Sequence, residues 1–162
     1  MKSLKTPLRY PGGKSRACVK MDEFIPDLRE YKKYHEPFLG GGSVAIHITK
    51  KYPHLDIWVN DLYEPLYNGR EMRDQLAHLK STHPEPVSAK TLFLNAKGEV
   101  NNDSASNLSR AINFYVVNKC SFSGLTESSS FSKQASDSNF SMRGIDKLPE
   151  YSKLISSWKI TN

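Results

Sequence analysis

The stretch Glu36-Pro37-Phe38-Leu39-Gly40-Gly41-Gly42-Ser43-Val44-Ala45 carries the chain's clearest chemical signal. Gly40, Gly42 and Ala45 fit the G-x-G-x-x-G/A pattern. In that pattern the missing side chains let the backbone approach an adenosyl ligand and let the next helix pack closely on its strand. Asp61 lies 21 residues beyond Gly40, a spacing at which a carboxylate accepts hydrogen bonds from both ribose hydroxyls. A second turn, Pro11-Gly12-Gly13-Lys14-Ser15, contains the Gly-Lys-Ser of a phosphate loop. That motif needs another glycine where Leu8 stands and a buried strand ahead of it, for which the polar residues Met1 to Thr6 are poor material. What remains is a tight turn that presents Tyr10 and the Lys14 ammonium beside a helix start, a place suited to a small polar ligand with a negative group.

The elements that must position these residues follow from spacing and turn chemistry. After Gly12-Gly13, the residues Ala17, Met21, Phe24, Ile25 and Leu28 recur at roughly helical spacing, with Pro26 as a break. Tyr34 to Phe38 reads as a short strand running into the glycines, and Ser43 as the N-cap of a helix carrying Val44, Ile48 and Tyr52. Pro53 ends that helix, and Ile57-Trp58-Val59 follows as a strand that delivers Asn60-Asp61 at its C-terminal end, which completes a βαβ unit. Pro65 suits the first turn of a helix supported by Leu66, Met72, Leu76 and Leu79, up to the turn-prone Thr82-His83-Pro84-Glu85-Pro86. Leu108, Ile112, Tyr115 and Val116 share one helical face, with serines before them as caps. Ser121 to Ser141 is dense in serine with Phe122, Phe131 and Phe140 set among it, the character of a loop or a mobile subdomain. Pro149 opens a last helix through Tyr151, Leu154 and Ile155, and Trp158-Lys159-Ile160-Thr161 begins a strand.

Composition sets the outer limits. With 162 residues and 38% apolar content, and a mean hydropathy of −0.57, the chain suits one globular domain and holds no run long enough to span a membrane. Its N-terminus lacks the apolar run of a signal peptide, so a cytoplasmic protein is expected. Cys18 and Cys120 lie far apart in no metal-ligand spacing, the five histidines are scattered, and reduced thiols without a metal site are expected. The formal charge of +6 favours a polyanionic partner. Lys2, Lys5, Arg9, Lys14, Arg16 and Lys20 stand in the first 20 residues with no acidic residue among them, which places a local positive field beside the first glycine turn.

Residue chemistry alone stops at an adenosine-containing cofactor at the C-terminal edge of a parallel sheet, and NAD and S-adenosylmethionine both satisfy it. Three separated segments narrow the choice. Arg9-Tyr10-Pro11-Gly12-Gly13-Lys14, Glu36-Pro37-Phe38-Leu39-Gly40-Gly41-Gly42-Ser43 and Asn60-Asp61, in this order and spacing, closely resemble the Dam-type DNA adenine methyltransferases. Asn118-Lys119-Cys120-Ser121-Phe122-Ser123-Gly124-Leu125 resembles the motif that opens that family's DNA-recognition region, so the resemblance covers nearly all of the chain.

The resemblance implies an α/β fold: a Rossmann-like S-adenosylmethionine-dependent methyltransferase sheet, incomplete here, interrupted by a helical and serine-rich DNA-recognition segment. Residues 1–80 are then the cofactor-binding part, 81–150 the recognition segment, and 151–162 the return to the sheet. It implies S-adenosyl-L-methionine as cofactor, surrounded by Tyr10, Lys14, Glu36, Pro37, Phe38, Gly40, Gly42, Ser43 and Asp61, with the glycine turn beneath the methionine part. It turns Arg9, Asn118, Lys119, Phe122, Ser123 and Leu125 toward double-stranded DNA, in the cytoplasm of a bacterial or bacteriophage-infected cell. Phe122 takes the position of an aromatic that pushes into the base stack as the target adenine leaves it. Such a ring can fill the vacated space where unstacking one base costs a few kcal/mol.

Two departures from the family pattern matter. Relatives that read GATC commonly carry an arginine two residues past Leu125, suited to bidentate contact with guanine, and Glu127 stands there instead. No Asp/Asn-Pro-Pro-Tyr segment occurs in the chain; relatives place it on the strand after the recognition region, where it accepts the amino hydrogens of the flipped adenine and stacks on its ring. The expected whole enzyme methylates the adenine N6 amino group. This chain alone is expected to bind without methylating, its catalytic half lying beyond the strand that begins at Trp158 or on a second polypeptide. Two alternatives stay open on the residues. One is a NAD-binding Rossmann protein, which leaves the Lys14 turn and Phe122 without purpose. The other is a non-catalytic DNA-binding module derived from a methyltransferase, whose DNA binding would be salt-sensitive and indifferent to S-adenosylmethionine.

Overall fold

The computed structural model describes residues 4–60, 69–124 and 128–161. Strand β1 (Lys33–Glu36) pairs in parallel with β2 (Asp56–Asn60), residues 33–36 opposite 56–59. Residues 58–60 of β2 pair in parallel with 159–161 of β3 (Lys159–Thr161). The strand order is β1-β2-β3, and β2 in the middle buries Ile57 and Val59, as a central strand covered by other elements must. The strand expected to begin at Trp158 therefore exists. It lies beside β2, at the edge of the sheet away from β1 and the glycine run.

Parallel neighbours require crossovers. Helix α1 is a single turn, Cys18–Met21, shorter than the apolar spacing suggested, and Phe24 stands 85% exposed beyond it. The first crossover is α2 (Ser43–Lys51), which buries Ala45, Ile46 and Ile48 and ends with Lys50 and Lys51, cations suited to the negative end of a helix dipole. The second runs through α3 (Gly69–Thr82), α4 (Pro86–Glu99), α5 (Asn107–Cys120), a 3-10 turn at Phe122–Gly124, α6 (Lys133–Asn139), α7 (Met142–Ile145) and α8 (Leu148–Leu154). Pro65 and Leu66, expected in the first turn of α3, lie outside the described residues. Among those described, no helix is long and apolar enough to cross a membrane.

Helix α5 is the hub of this helical part. It packs on α3, α4 and α6, while α3 also meets α7 and α8. Tyr115, Phe93, Phe140, Met72, Leu76, Ile145 and Leu148 form its core, with the Tyr115 and Phe140 rings 6.4 Å apart edge to face. Ser106 caps α5 by accepting from the Ser109 amide, as the serines ahead of it suggest.

The described residues of the serine-dense segment are folded. Ser132 and Ser141 cap α6 and α7, Ser129 and Ser136 are buried, and Phe140 is fully buried in the core. Serine at these positions ends and starts helices, which composition alone does not reveal. At Gly69, a β-carbon would sit 2.7 Å from the Leu148 carbonyl oxygen and 2.7 Å from Ser152 Cβ, so glycine is what lets α3 approach α8. Gly69→Ala is expected to destabilise the chain by about 1–3 kcal/mol through overpacking. A thermal melt equal to wild type would contradict that close approach.

Candidate functional site

Two tight turns meet at one end of the sheet. In Tyr10-Pro11-Gly12-Gly13 the Gly13 amide donates to the Tyr10 carbonyl at 2.8 Å, and Gly12 has φ +76°. Proline followed by a positive-φ glycine is the type II turn combination, so the residue types dictate the bend. Lys14 Nζ donates across the turn to the Gly12 carbonyl at 3.0 Å from an exposed position.

The second turn closes with the Gly42 amide donating to the Leu39 carbonyl at 2.9 Å, with φ +53° at Gly40 and +68° at Gly42. Gly42, not Ser43, is the N-cap of α2. The left-handed Gly42 moves the helix boundary back one residue, and the Ser43 hydroxyl instead bonds the Ser15 hydroxyl at 2.9 Å.

The turns interlock through Tyr10 and Thr6. A β-carbon at Gly40 would lie 3.3 Å from the Tyr10 ring, and one at Gly41 3.0 Å from Tyr10 Cβ. The Thr6 hydroxyl donates to the Gly41 carbonyl. The triple glycine thus serves two purposes, a bend that only positive φ allows and room for Tyr10. The Leu39 amide donates to the Asn60 carbonyl at 3.1 Å, which ties the C-terminal end of β2 to the head of the glycine turn. Asp61, the next residue, lies outside the described residues.

Glu36 closes β1 with a half-buried carboxylate that accepts from the Tyr34 hydroxyl at 3.1 Å. Burial raises its pKa above the usual carboxylate range, against the opposing pull of the Tyr34 hydroxyl and the Ala45 amide. Pro37 is exposed and Phe38 is 90% exposed at the mouth of the turn.

The residues expected to face DNA form a second group that touches the first through the N-terminal segment. Phe122 is 66% exposed on the 3-10 turn. Ser123 beside it has φ +57°, the one positive φ outside glycine among the described residues. The turn is held at its base, where the Phe122 amide donates to the Ser130 carbonyl at 3.0 Å and the Ser132 amide to the Cys120 carbonyl at 2.9 Å. Leu125 and Glu127 lie outside the described residues.

Asn118 is 1% exposed and fully engaged within the protein. Its Oδ1 accepts from the Arg9 amide at 2.9 Å, while Nδ2 donates to the Arg9 carbonyl at 2.6 Å and the Gly124 carbonyl at 3.0 Å. Arg9 Nη1 donates to the Ser121 carbonyl at 2.8 Å. Lys119 donates to the Pro7 carbonyl and stands 5.2 Å from the Tyr115 ring centroid.

Sequence inspection misses what holds this N-terminal segment, because the segment forms no strand and has no periodicity. Lys50 of α2 donates to the Leu4 carbonyl at 2.7 Å. Tyr151 of α8 donates to the Lys5 carbonyl, and Lys119 of α5 to that of Pro7. Side chains from three helices replace the missing ladder and satisfy the backbone.

Burial, with the nearby Arg9 charge, lowers the Lys119 pKa to about 8. Between that value and the ordinary lysine value of 10.5 the unfolded chain keeps a proton that the folded chain has shed. This residue's contribution to stability therefore rises with pH across the window. In pH-dependent thermal melts, wild type is expected to gain on Lys119→Met as pH rises from about 8 to 10; parallel curves would contradict a buried ammonium.

A cavity of about 790 Å³ adjoins the turns at Thr6, Ser15 and Ser43 and lies between the N-terminal segment, α1, α2 and α8. Of the expected cofactor residues it includes Ser43, and its wall carries Lys5, Lys50, Lys51 and Lys153 but no glycine of either turn. Among the described residues, no group of three or more His, Cys, Asp or Glu side chains could hold a metal ion.

The chain is similar to the Type II methyltransferase M.MjaIII of Methanocaldococcus jannaschii, with 36% identity over 66 residues. The aligned part takes in 39% of this chain and 23% of that protein, so the match spans under a quarter of the relative's length. The model of the D12 class N6 adenine-specific DNA methyltransferases matches residues 10–162, from the aromatic residue of the first turn through the last strand. That span takes in both interlocked turns, Asn118 with the Phe122–Gly124 turn, and β3, and the chain belongs to the D12 class N6 adenine-specific DNA methyltransferase family.

Proposed function

We propose that this chain supplies the cofactor-holding and DNA-facing parts of an enzyme that methylates the N6 amino group of a flipped adenine in duplex DNA. The supporting observation is the interlock of the two glycine turns through Tyr10, with the end of β2 tied to Leu39. The residues fit S-adenosyl-L-methionine, because a β-carbon at Gly40 or Gly41 would crowd Tyr10, and the bare turn leaves backbone for an adenosyl ligand to approach. When bound, that donor supplies a methyl group on a positively charged sulfur.

The residues divide the work between ligand and DNA. The Tyr10 ring offers an apolar face, Lys14 a cation for the donor's carboxylate, and Glu36 a carboxylate for its ammonium. Pro37, Phe38 and Ser43 border the turn, Gly40 to Gly42 pass beneath the methionine part, and Asp61 receives the ribose hydroxyls. The sheet is the beginning of a Rossmann-like one. The helical stretch between β2 and β3 is the DNA-recognition segment, with 1–80, 81–150 and 151–162 as the functional division. Arg9 meets the phosphate backbone, Phe122 fills the space left by the flipped base, and Ser123 and Leu125 border it. Asn118 and Lys119 serve the same face from behind, through the backbone of residues 7–9.

No Asp/Asn-Pro-Pro-Tyr segment occurs among the 162 residues, and none of them is assigned the role of accepting the amino hydrogens of the adenine. A continuation of this chain or a second polypeptide carrying that segment is the proposed completing part, and the cytoplasm the proposed compartment. The test is calorimetry with S-adenosylmethionine and NAD, followed by a methyl-transfer assay on adenine-containing duplexes. The expected result is saturable binding of S-adenosylmethionine, none of NAD, and no turnover by these 162 residues alone. Preference for NAD would overturn the cofactor, and DNA binding indifferent to S-adenosylmethionine would favour a non-catalytic module.

A further inference from the structure

The residues argued to reach DNA come from two places far apart in the chain, Arg9 and the turn at Phe122–Gly124, and one buried amide joins them. Asn118 uses its carbonyl on the Arg9 amide and its amino group on the carbonyls of both Arg9 and Gly124. Arg9 returns the contact by donating to the Ser121 carbonyl at 2.8 Å. At Gly124, φ is +73° and a β-carbon would lie 2.6 Å from Arg9 Cβ and 2.9 Å from its carbonyl oxygen. The two backbones are thus in direct contact, and the turn has no room to shift toward Arg9. A side-chain amide is the one polar group that can accept from and donate to the same residue's backbone while reaching a second carbonyl, and its burial makes these bonds costly to break.

Resting on the proposed DNA-facing role of Arg9 and Phe122, we propose that Asn118 is a positioning residue: it locks Arg9 to the Phe122 turn so that the cation and the aromatic ring engage DNA as one rigid unit. Tyr10, the next residue, packs on Gly40 and Gly41, so the same lock sets the height of the DNA-facing turn relative to the glycine turns.

A rigid unit has a thermodynamic signature that a general loss of stability lacks. If Arg9 and Phe122 act together, removing either forfeits most of what both provide, and their effects on DNA affinity are non-additive; without the lock they add. The probe is a short fluorescein-labelled duplex with one adenine opposite an abasic site, where unpairing is already accomplished. Anisotropy is read at fixed salt with S-adenosylmethionine present. Wild type, Arg9→Ala, Phe122→Ala and the double variant are compared in the native and Asn118→Ala backgrounds, with the melting temperature of each recorded.

With Asn118 present, each single substitution and the double one are expected to weaken binding by a similar factor, about tenfold. In the Asn118→Ala background the double substitution is expected to weaken binding by about the product of the two single effects. Equal non-additivity in both backgrounds, or additivity with Asn118 present, would overturn the proposal. Should the Asn118→Ala chains fail to fold, hydrogen exchange on wild type decides: the duplex is expected to slow the Arg9 and Phe122 amides by a common factor, and protection of only one overturns the lock. A wild-type chain that does not bind the duplex at all overturns the proposed DNA-facing role itself, a result distinct from binding without coupling.

Discussion

Gly40→Val is expected to cost this chain most of its affinity for S-adenosylmethionine, by a factor on the order of 100. Gly40 sits at φ +53° with the Tyr10 ring 3.3 Å from where a β-carbon would stand. The left-handed conformation costs a residue with a β-carbon about 1–2 kcal/mol, and crowding against a packed ring adds about 1–3 kcal/mol. A turn carrying that penalty opens, and the backbone that should lie beneath the ligand moves away. Since about 1.4 kcal/mol is tenfold in affinity, a loss on the order of 100-fold needs about 2.8 kcal/mol, which lies within the combined range of about 2–5 kcal/mol. Gly98→Val is the control, because a β-carbon there meets nothing within 4 Å and its φ is not positive. Calorimetric titration of both variants checks the prediction, and equal affinities would remove the glycine turn from the cofactor site.

Phe140→Ala should have the largest effect on stability, about 3–5 kcal/mol out of the roughly 5–15 kcal/mol that a domain typically has. The ring is 1% exposed, packs edge to face on Tyr115 and lies 5.5 Å from Lys80 Nζ. Phe122→Ala, on the exposed turn, should change stability by less than about 0.5 kcal/mol. In thermal melts the first is expected to lower the midpoint by about 10 °C or more and the second hardly at all. Similar melts for the two would contradict the assignment of one ring to the core and the other to the surface.

These two phenylalanines show where sequence is informative and where it is silent. All three rings of the serine-dense segment look alike in the chain, yet Phe140 is in the core, Phe131 packs on Phe93 at 5.8 Å, and Phe122 faces out. No local period separates them, because burial here depends on where α4 and α5 lie. The βαβ unit is legible because Ile57 and Val59, the glycine bend and Pro53 each state a local backbone preference. Helix α4 escapes such a reading. Its buried residues Ala89, Leu92, Phe93 and Ala96 keep helical spacing behind Pro86, but exposed Val87 and Leu94 blur the apolar stripe.

The same contrast holds at the site. Gly40, Gly42 and Tyr10 are legible as residue types that bends and ligands require. The roles of Thr6 and Asn118 are not, since an amide 109 residues from its partner Arg9 leaves no mark on local pattern. The last strand is legible as a strand at Lys159–Thr161. Its place beside β2 is not, because nothing in a short apolar run states which edge of a sheet it will join.

The most direct test of the cofactor site is a titration of the isotopically labelled chain with S-adenosylmethionine followed by backbone amide shifts. One saturable process should move the amides of Tyr10, Gly12 to Lys14, Leu39 to Ser43 and Asp61 together, with a single dissociation constant. Shifts confined instead to Ile46, His47 and Lys153 in the neighbouring cavity, with the glycine amides and Asp61 unmoved, would contradict it.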